Sequence, residues 1–181
     1  TDADDADTAL AAAGDPPALG AALIQEVPEG TYGPYLATRA DDRALAVWAA
    51  QQSGSGQRWF SVPLDPRGAP LRQPLALVDA PQRIGLVSVR AAGSGFVVLA
   101  TATTATGSGI EGLWLGAGGE LAASPTTLVH LHDEVLWLEA LDVDGGTSAL
   151  WATRAAGRVQ PPSISAGRIS TIPGVSVWRS G

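Results

Sequence analysis

Cysteine, lysine, methionine and asparagine are all missing from this chain of 181 residues. Without Cys there is no disulfide, no thiolate nucleophile and no Cys-ligated zinc. Without Lys there is neither Schiff-base chemistry nor the lysine of a phosphate-binding loop, and without Asn there is no N-glycosylation acceptor. His130 and His132 are the whole supply of imidazole. No apolar run is long enough to cross a bilayer as a helix. A sustained apolar face at helical spacing is also lacking, so helix is expected to be scarce. Every cation is Arg, which with abundant Ala, Gly and Pro matches a GC-rich bacterial coding sequence.

The formal charge of −7 is a local matter. Asp2, Asp4, Asp5, Asp7 and Asp15 leave 13 acids against 11 Arg in the rest of the chain, a balance of −2. Residues 1–20 therefore read as an acidic, Ala-, Asp- and Pro-rich disordered tail, and residues 21–181 as a single domain. A near-neutral body offers no basic stripe to release counterions from phosphates, so nucleic acid is not an expected partner. The chain begins at Thr1. An acidic tail ahead of an all-β body is expected just after removal of a leader, which points to an exported protein: periplasmic, cell-surface or extracellular.

What the body does contain is a repeated doublet of strand-like segments. Tyr35–Arg39 followed by Leu45–Trp48 matches Leu86–Arg90 followed by Phe96–Leu99, and a third copy reads Leu128–His132 followed by Val135–Leu138. A fourth begins at Arg168–Ile172 and stops after Val175–Trp178. Turn signals such as Asp41-Asp42, Gly93-Ser94-Gly95 and Asp144-Gly145-Gly146 recur at roughly 8–12 residues, the spacing of antiparallel meanders. The second segment of each unit is apolar on both faces, the environment of a strand inside a sheet flanked by other sheets. A third strand bearing Trp59, Trp114 or Trp151 follows. An outer segment containing Pro74, Pro125 or Pro161-Pro162 comes last, where a missing ladder donor is tolerated. Ala22–Val27 reads as an extra N-terminal strand.

These segments resemble the β-propeller repeat superfamily in its loose, secreted bacterial form, without a WD dipeptide, a kelch double glycine or a full calcium cage. The resemblance implies an all-β fold of about three blades plus a half blade, with units near 33–80, 84–126 and 127–166 and an incomplete one at 167–181. A closed four-bladed ring and a β-sandwich are the alternatives. It also implies use as an interaction platform.

Several clusters carry chemistry. His130 and His132 stand two apart on a strand, which puts both imidazoles on one face, and they are the candidate metal ligands. A polar strand end beside a turn explains them more simply, since no third ligand is specified. Together with Asp133 they are also the sole route to a histidine base, and no nucleophile elbow accompanies them. Asp142-Val143-Asp144-Gly145-Gly146 has the opening of a calcium loop but lacks its distal Glu, and fits a hairpin turn better. Arg39, Arg90 and His132 end the first strand of three units, so they are expected to gather on one rim, where an anionic ligand or acidic peptide could dock and where solvation of hairpin ends is the simpler explanation. Trp178, on the unfinished unit with Arg168, is the tryptophan expected to touch a partner. Thr101–Thr106 is expected at a hairpin tip, where a glycan could attach.

The expected function is that of a non-catalytic structural or protein-interaction module, not an enzyme, requiring no cofactor. Its exposed strand edge near Arg168–Trp178 would be completed by a partner protein or a second copy. The alternative is a carbohydrate or small-ligand binder using surface Trp.

Overall fold

The computed structural model of the protein describes residues 31–52, 56–80, 83–104, 107–143, 146–155 and 163–169. Among them are eleven strands and no helix. The first sheet runs β1 (Tyr32–Thr38), β2 (Ala44–Gln51), β3 (Gln57–Leu64), β4 (Leu75–Ala80). The second runs β5 (Arg83–Ala92), β6 (Gly95–Thr104), β7 (Gly107–Leu115), β8 (Thr126–Leu131). The third holds β9 (Glu134–Val143), β10 (Gly146–Arg154) and β11 (Ser163–Ile169). Strands that follow one another pair antiparallel, so each sheet is a meander of short connections. A two-sheet sandwich is excluded by this count of layers.

The repeat is more regular than its sequence suggests. β1, β5 and β9 begin at residues 32, 83 and 134, and β2, β6 and β10 at 44, 95 and 146, a constant step of 51. The third unit is therefore out of phase with the expectation. Leu128–His132 was expected to open the third sheet, but β8 instead pairs with β7 through Ile110↔Val129 and Gly109↔His130 and closes the second. The cause is local ambiguity: Leu128, Val129 and Leu131 make an apolar stretch that serves an outermost strand as well as an innermost one. Val135–Val143, expected as a second strand, is the leading strand of the third sheet, and Trp151 lies on its second strand. Arg168 and Ile169, expected to start a fourth unit, end β11 against β10, with Arg168 opposite Ser148. The remainder of that unit, including Trp178, lies outside the described residues, as do the strand expected at Ala22–Val27 and the N-terminal tail.

Turn chemistry explains the hairpins. Gly93-Ser94 joins β5 to β6 in two residues, with Gly93 at φ 56°, where a side chain is disfavoured. Between β1 and β2, Asp42 takes φ 59° and its N–H donates to the Arg39 carbonyl at 3.1 Å; aspartate tolerates that region better than most residues. The Asp144-Gly145 pair lies outside the described residues, but its flanks Val143 and Gly146 pair across the hairpin. Pro74 and Pro125 each sit immediately before β4 and β8 rather than within them, and Pro162 likewise precedes β11 in sequence.

The sheets stack through their faces. Leu45, Val47, Ala49 and Trp59 of the first meet Phe96, Val98, Ala100, Leu113 and Leu115 of the second in one buried cluster. On the other face of the second sheet, Val97, Leu99 and Ile110 meet Leu138, Ala140, Ala149 and Trp151 of the third. Adjacent residues of β6 thus feed opposite cores, which accounts for its continuous apolar run. Burying each of these large side chains contributes about 1.5–3 kcal/mol. The leading strands also meet, β1 against β5 and β5 against β9.

Polar contacts stitch the same seams. Buried Gln57 accepts from the Ile84 N–H at 3.1 Å, and the Ser61 hydroxyl donates to the Gly119 carbonyl at 2.6 Å. Arg72 donates to the Gly118 carbonyl from the adjacent sheet. Among the described residues no buried side-chain polar atom lacks a partner.

A candidate binding cleft at the leading edges

β1, β5 and β9 are each the edge strand of their sheet, and they converge. A cleft of about 520 Å³ opens between them, lined by β1 from Pro34 to Thr38, by β5 from Val87 to Ala91, and by Glu139 of β9. A bulge interrupts the pairing of β1 between Tyr32 and Tyr35, and of β5 between Ile84 and Val87. At the second bulge the Thr101 hydroxyl accepts the Leu86 N–H at 2.8 Å.

The cleft's charges are a matched pair. Arg90 Nη2 donates to Glu139 Oε1 at 3.0 Å. The same guanidinium donates through Nε to the Ala140 carbonyl at 2.8 Å, and the Ser88 hydroxyl accepts the Ala140 N–H at 3.0 Å. One residue of β9 therefore has its N–H and its C=O satisfied by two side chains of β5. Tyr35, half-buried in the wall, keeps its proton to higher pH than a free phenol because burial disfavours the charged form, with Tyr32 beside it adding to the effect. Of the residues around the cleft, Tyr35 also rests on the core between the first two sheets, Leu36 has an exposed side chain, the Ser88 hydroxyl is engaged by the Ala140 N–H, and Arg90 and Glu139 form a charge-compensated pair.

The residues expected at a common rim come apart. Arg90 belongs to the cleft. Arg39 donates to the Ser94 carbonyl in the β5–β6 turn and pairs with Asp41 at 3.1 Å, so it fastens the first sheet to the second. His132 does not join them: it lies in the turn after β8, and His130 is on β8, both exposed at the outer side of the second sheet. Among the described residues no three His, Asp or Glu gather as a metal site. Backbone pairing places Arg168 on the outermost described strand of the third sheet. Thr101–Thr104 belong to β6 rather than to a hairpin tip, and Thr101 is buried. Trp48, Trp59 and Trp151 are buried core residues, whereas Trp137 is exposed.

Glu139 and Tyr35 were missed as site residues. A signal for Glu139 was present: it is one acid within the otherwise apolar run Trp137-Leu138-Glu139-Ala140-Leu141.

No known family and no curated protein matches the sequence. Among solved structures the fold is similar to that of a thermostable family-43 glycoside hydrolase, with a TM-score of 0.61 and 9% identity over 87% of this chain. That protein is a five-bladed β-propeller, and this chain spans 62% of its length. The expectation that the chain is not an enzyme is thereby corrected, because the architecture it resembles is one that carries catalysis. That expectation rested on thiol, amine and histidine chemistry, while glycoside hydrolysis runs on carboxylates and needs none of those groups. The chain has an all-β, β-propeller-like fold.

Proposed function

We propose that this chain is a carbohydrate-directed module that takes a sugar in the cleft between β1, β5 and β9. The observation that carries the reading is the lining of that cleft. A volume of about 520 Å³ with Tyr35 and Leu36 as apolar wall and Thr38, Ser88, Arg90 and Glu139 as polar wall suits a polyhydroxylated ring. Such rings present C–H faces to aromatic and aliphatic side chains and hydroxyls to planar charged groups. The likeness to a glycoside hydrolase supports the same reading at the level of fold. An exported protein meets such polymers outside the cell.

Hydrolysis would require two carboxyl groups flanking one bond. Among the described residues that line the cleft, Glu139 supplies one. Titration calorimetry against a panel of neutral oligosaccharides tests the binding, and release of reducing ends tests whether bond cleavage accompanies it. Saturable binding that weakens in Tyr35→Ala and Glu139→Gln is expected. A wild-type protein that binds no oligosaccharide, or binding indifferent to both substitutions, would refute the proposal.

A further inference from the structure

The two outward faces of the stack differ. On the third sheet, Trp137 and Ile164 both stand opposite Ala152 and are 43% and 69% exposed. On the first sheet, Leu45, Val47 and Trp59 are turned into the second sheet, so alternation turns Ala46, Trp48, Val62 and Leu64 outward. Ala46 stands opposite Val62, and Trp48 opposite Phe60, whose ring stacks on the indole at 5.6 Å. Ala46 and Val62 are nevertheless 0% exposed and Trp48 3%. Neighbours within one sheet do not bring an alanine and a valine to zero; a further layer has to lie on them. Among the described residues none supplies it, since the apolar groups packed on this cluster, Ala44 and Phe60, belong to the same two strands. The layer is also narrow. Leu36 of β1, opposite Ala46, and Ala76 of β4, opposite Phe60, are both exposed. A whole sheet would cover all four strands, whereas a single segment running over β2 and β3 accounts for what is buried.

We propose that Ala22–Val27, which lies outside the described residues, is that segment and acts as an intramolecular cap on the first sheet. The face is buried within one copy of the chain, so its cover belongs to the same chain. Of the stretches outside the described residues, 53–55, 81–82, 105–106 and 144–145 are two or three residues long, and 156–162 is tied at both ends to the third sheet. The C-terminal stretch also starts from the third sheet. Packed faces lie about 10 Å apart, so a layer on the outside of the first sheet is about 30 Å from the third. The six residues from Ile169 to Val175 span at most about 20 Å, too few to lay Val175–Trp178 on that face. The N-terminal stretch is placed differently. It leads directly into β1, where Tyr32 pairs with Ala49 beside Trp48. Running back from Pro28 and Gly30, the chain meets Trp48 first and Ala44 last. That zone is about 13 Å long, within the reach of six residues, and Leu23, Ile24 and Val27 bring the side chains to fill it. The cap closes the apolar face at the start of the stack, as the terminal units of repeat proteins close theirs. It does so whatever the cleft binds.

Hydroxyl-radical footprinting of the full chain reads the cap through Trp48. Replacing Leu23 and Ile24 together by Asp puts two charges against an apolar face and should raise the oxidation rate of Trp48 by about fivefold or more. Trp59, turned into the second sheet, should keep its rate, which separates loss of the cap from unfolding. Cross-linking supplies the second measurement. Because the chain has no cysteine, Ile24→Cys with Ala44→Cys introduces one pair of thiols. A short bismaleimide should join that pair within a single chain, and should give no such product from Val177→Cys with Ala44→Cys. If the aspartates unfold the chain, Trp59 reacts along with Trp48 and the thiol pairs decide. Protection of Trp48 that survives both aspartates overturns the proposal. So does a link from Val177 in place of Ile24, which would make the C-terminal stretch the cover, or a link found only between two chains, which would make it a second copy.

Discussion

The hydroxyl of Ser61 on β3 donates at 2.6 Å to the carbonyl of Gly119, which belongs to the turn between β7 and β8 of the neighbouring sheet. Both the bond and the glycine are specified by space. Gly119 has φ 81°, and a Cβ there would stand 2.8 Å from Leu45 Cδ1 and 2.9 Å from Ser61 Oγ. Gly119→Ala combines a left-handed backbone with overpacking and is expected to destabilise the fold by about 2–4 kcal/mol. Ser61→Ala removes only the bond and should cost about 1–2 kcal/mol. Urea unfolding of the two variants checks the order, and a milder effect for Gly119→Ala would contradict this account of the seam.

A second prediction concerns the junction of β5 and β9. Ser88 accepts from the Ala140 N–H in a buried setting. Ser88→Ala strands that donor, so a loss of about 1–3 kcal/mol is expected. Amide exchange read at Ala140 should accelerate with it; unchanged protection would show that the bond does not hold the seam.

Gln57 tests the same principle on the other seam. It is 2% exposed, and its carbonyl oxygen takes the Ile84 N–H. Gln57→Leu keeps the volume and removes the acceptor, with an expected cost of about 1–3 kcal/mol. Thermal unfolding should report it; a variant as stable as the natural protein would mean that water replaces the amide.

Tyr35 gives the protein an alkaline limit. Its phenol is held above the ordinary range mainly by burial. In the unfolded chain that phenol ionises near pH 10, so the native state is disfavoured as pH climbs past that value. The stability that goes with a neutral Tyr35 is fully present below about pH 10 and is lost as pH rises through its folded value. Tyr35→Phe has no proton to lose and should unfold at a higher pH in an alkaline titration. Superimposable alkaline profiles for the two proteins would dispose of the assignment.

Much of the architecture was legible because hairpin turns and two-sided apolar strands are written locally. Gly93-Ser94, and the alternation of β6 between two cores, leave little choice of element. What local pattern does not carry is phase, and Leu128–Leu131 shows why. A strand at the outer rim that is half covered by its neighbour needs the same apolar residues as one at the centre. The site suffered from the same limit. Arg39 and Arg90 do hold equivalent positions near the ends of β1 and β5, but whether such a residue meets a ligand or the next sheet depends on groups such as Ser94 and Ala140 that only folding brings near. His132 entered the set through the phase error alone. Glu139 was readable as a lone acid in an oily strand, and its meaning appears only once Arg90 stands beside it.

Because β1, β5 and β9 present outer borders to the cleft, part of that wall is peptide group rather than side chain. Main-chain amides keep their positions whatever side chain is attached. Alanine replacement along these strands would therefore leave a share of any ligand affinity intact, and the residual would vary little with which residue was changed. N-methylation of single amides by semisynthesis removes one donor at a time and would expose that hidden share. The recognition surface, on this view, is partly independent of sequence, and relatives with few residues in common could grip the same molecule.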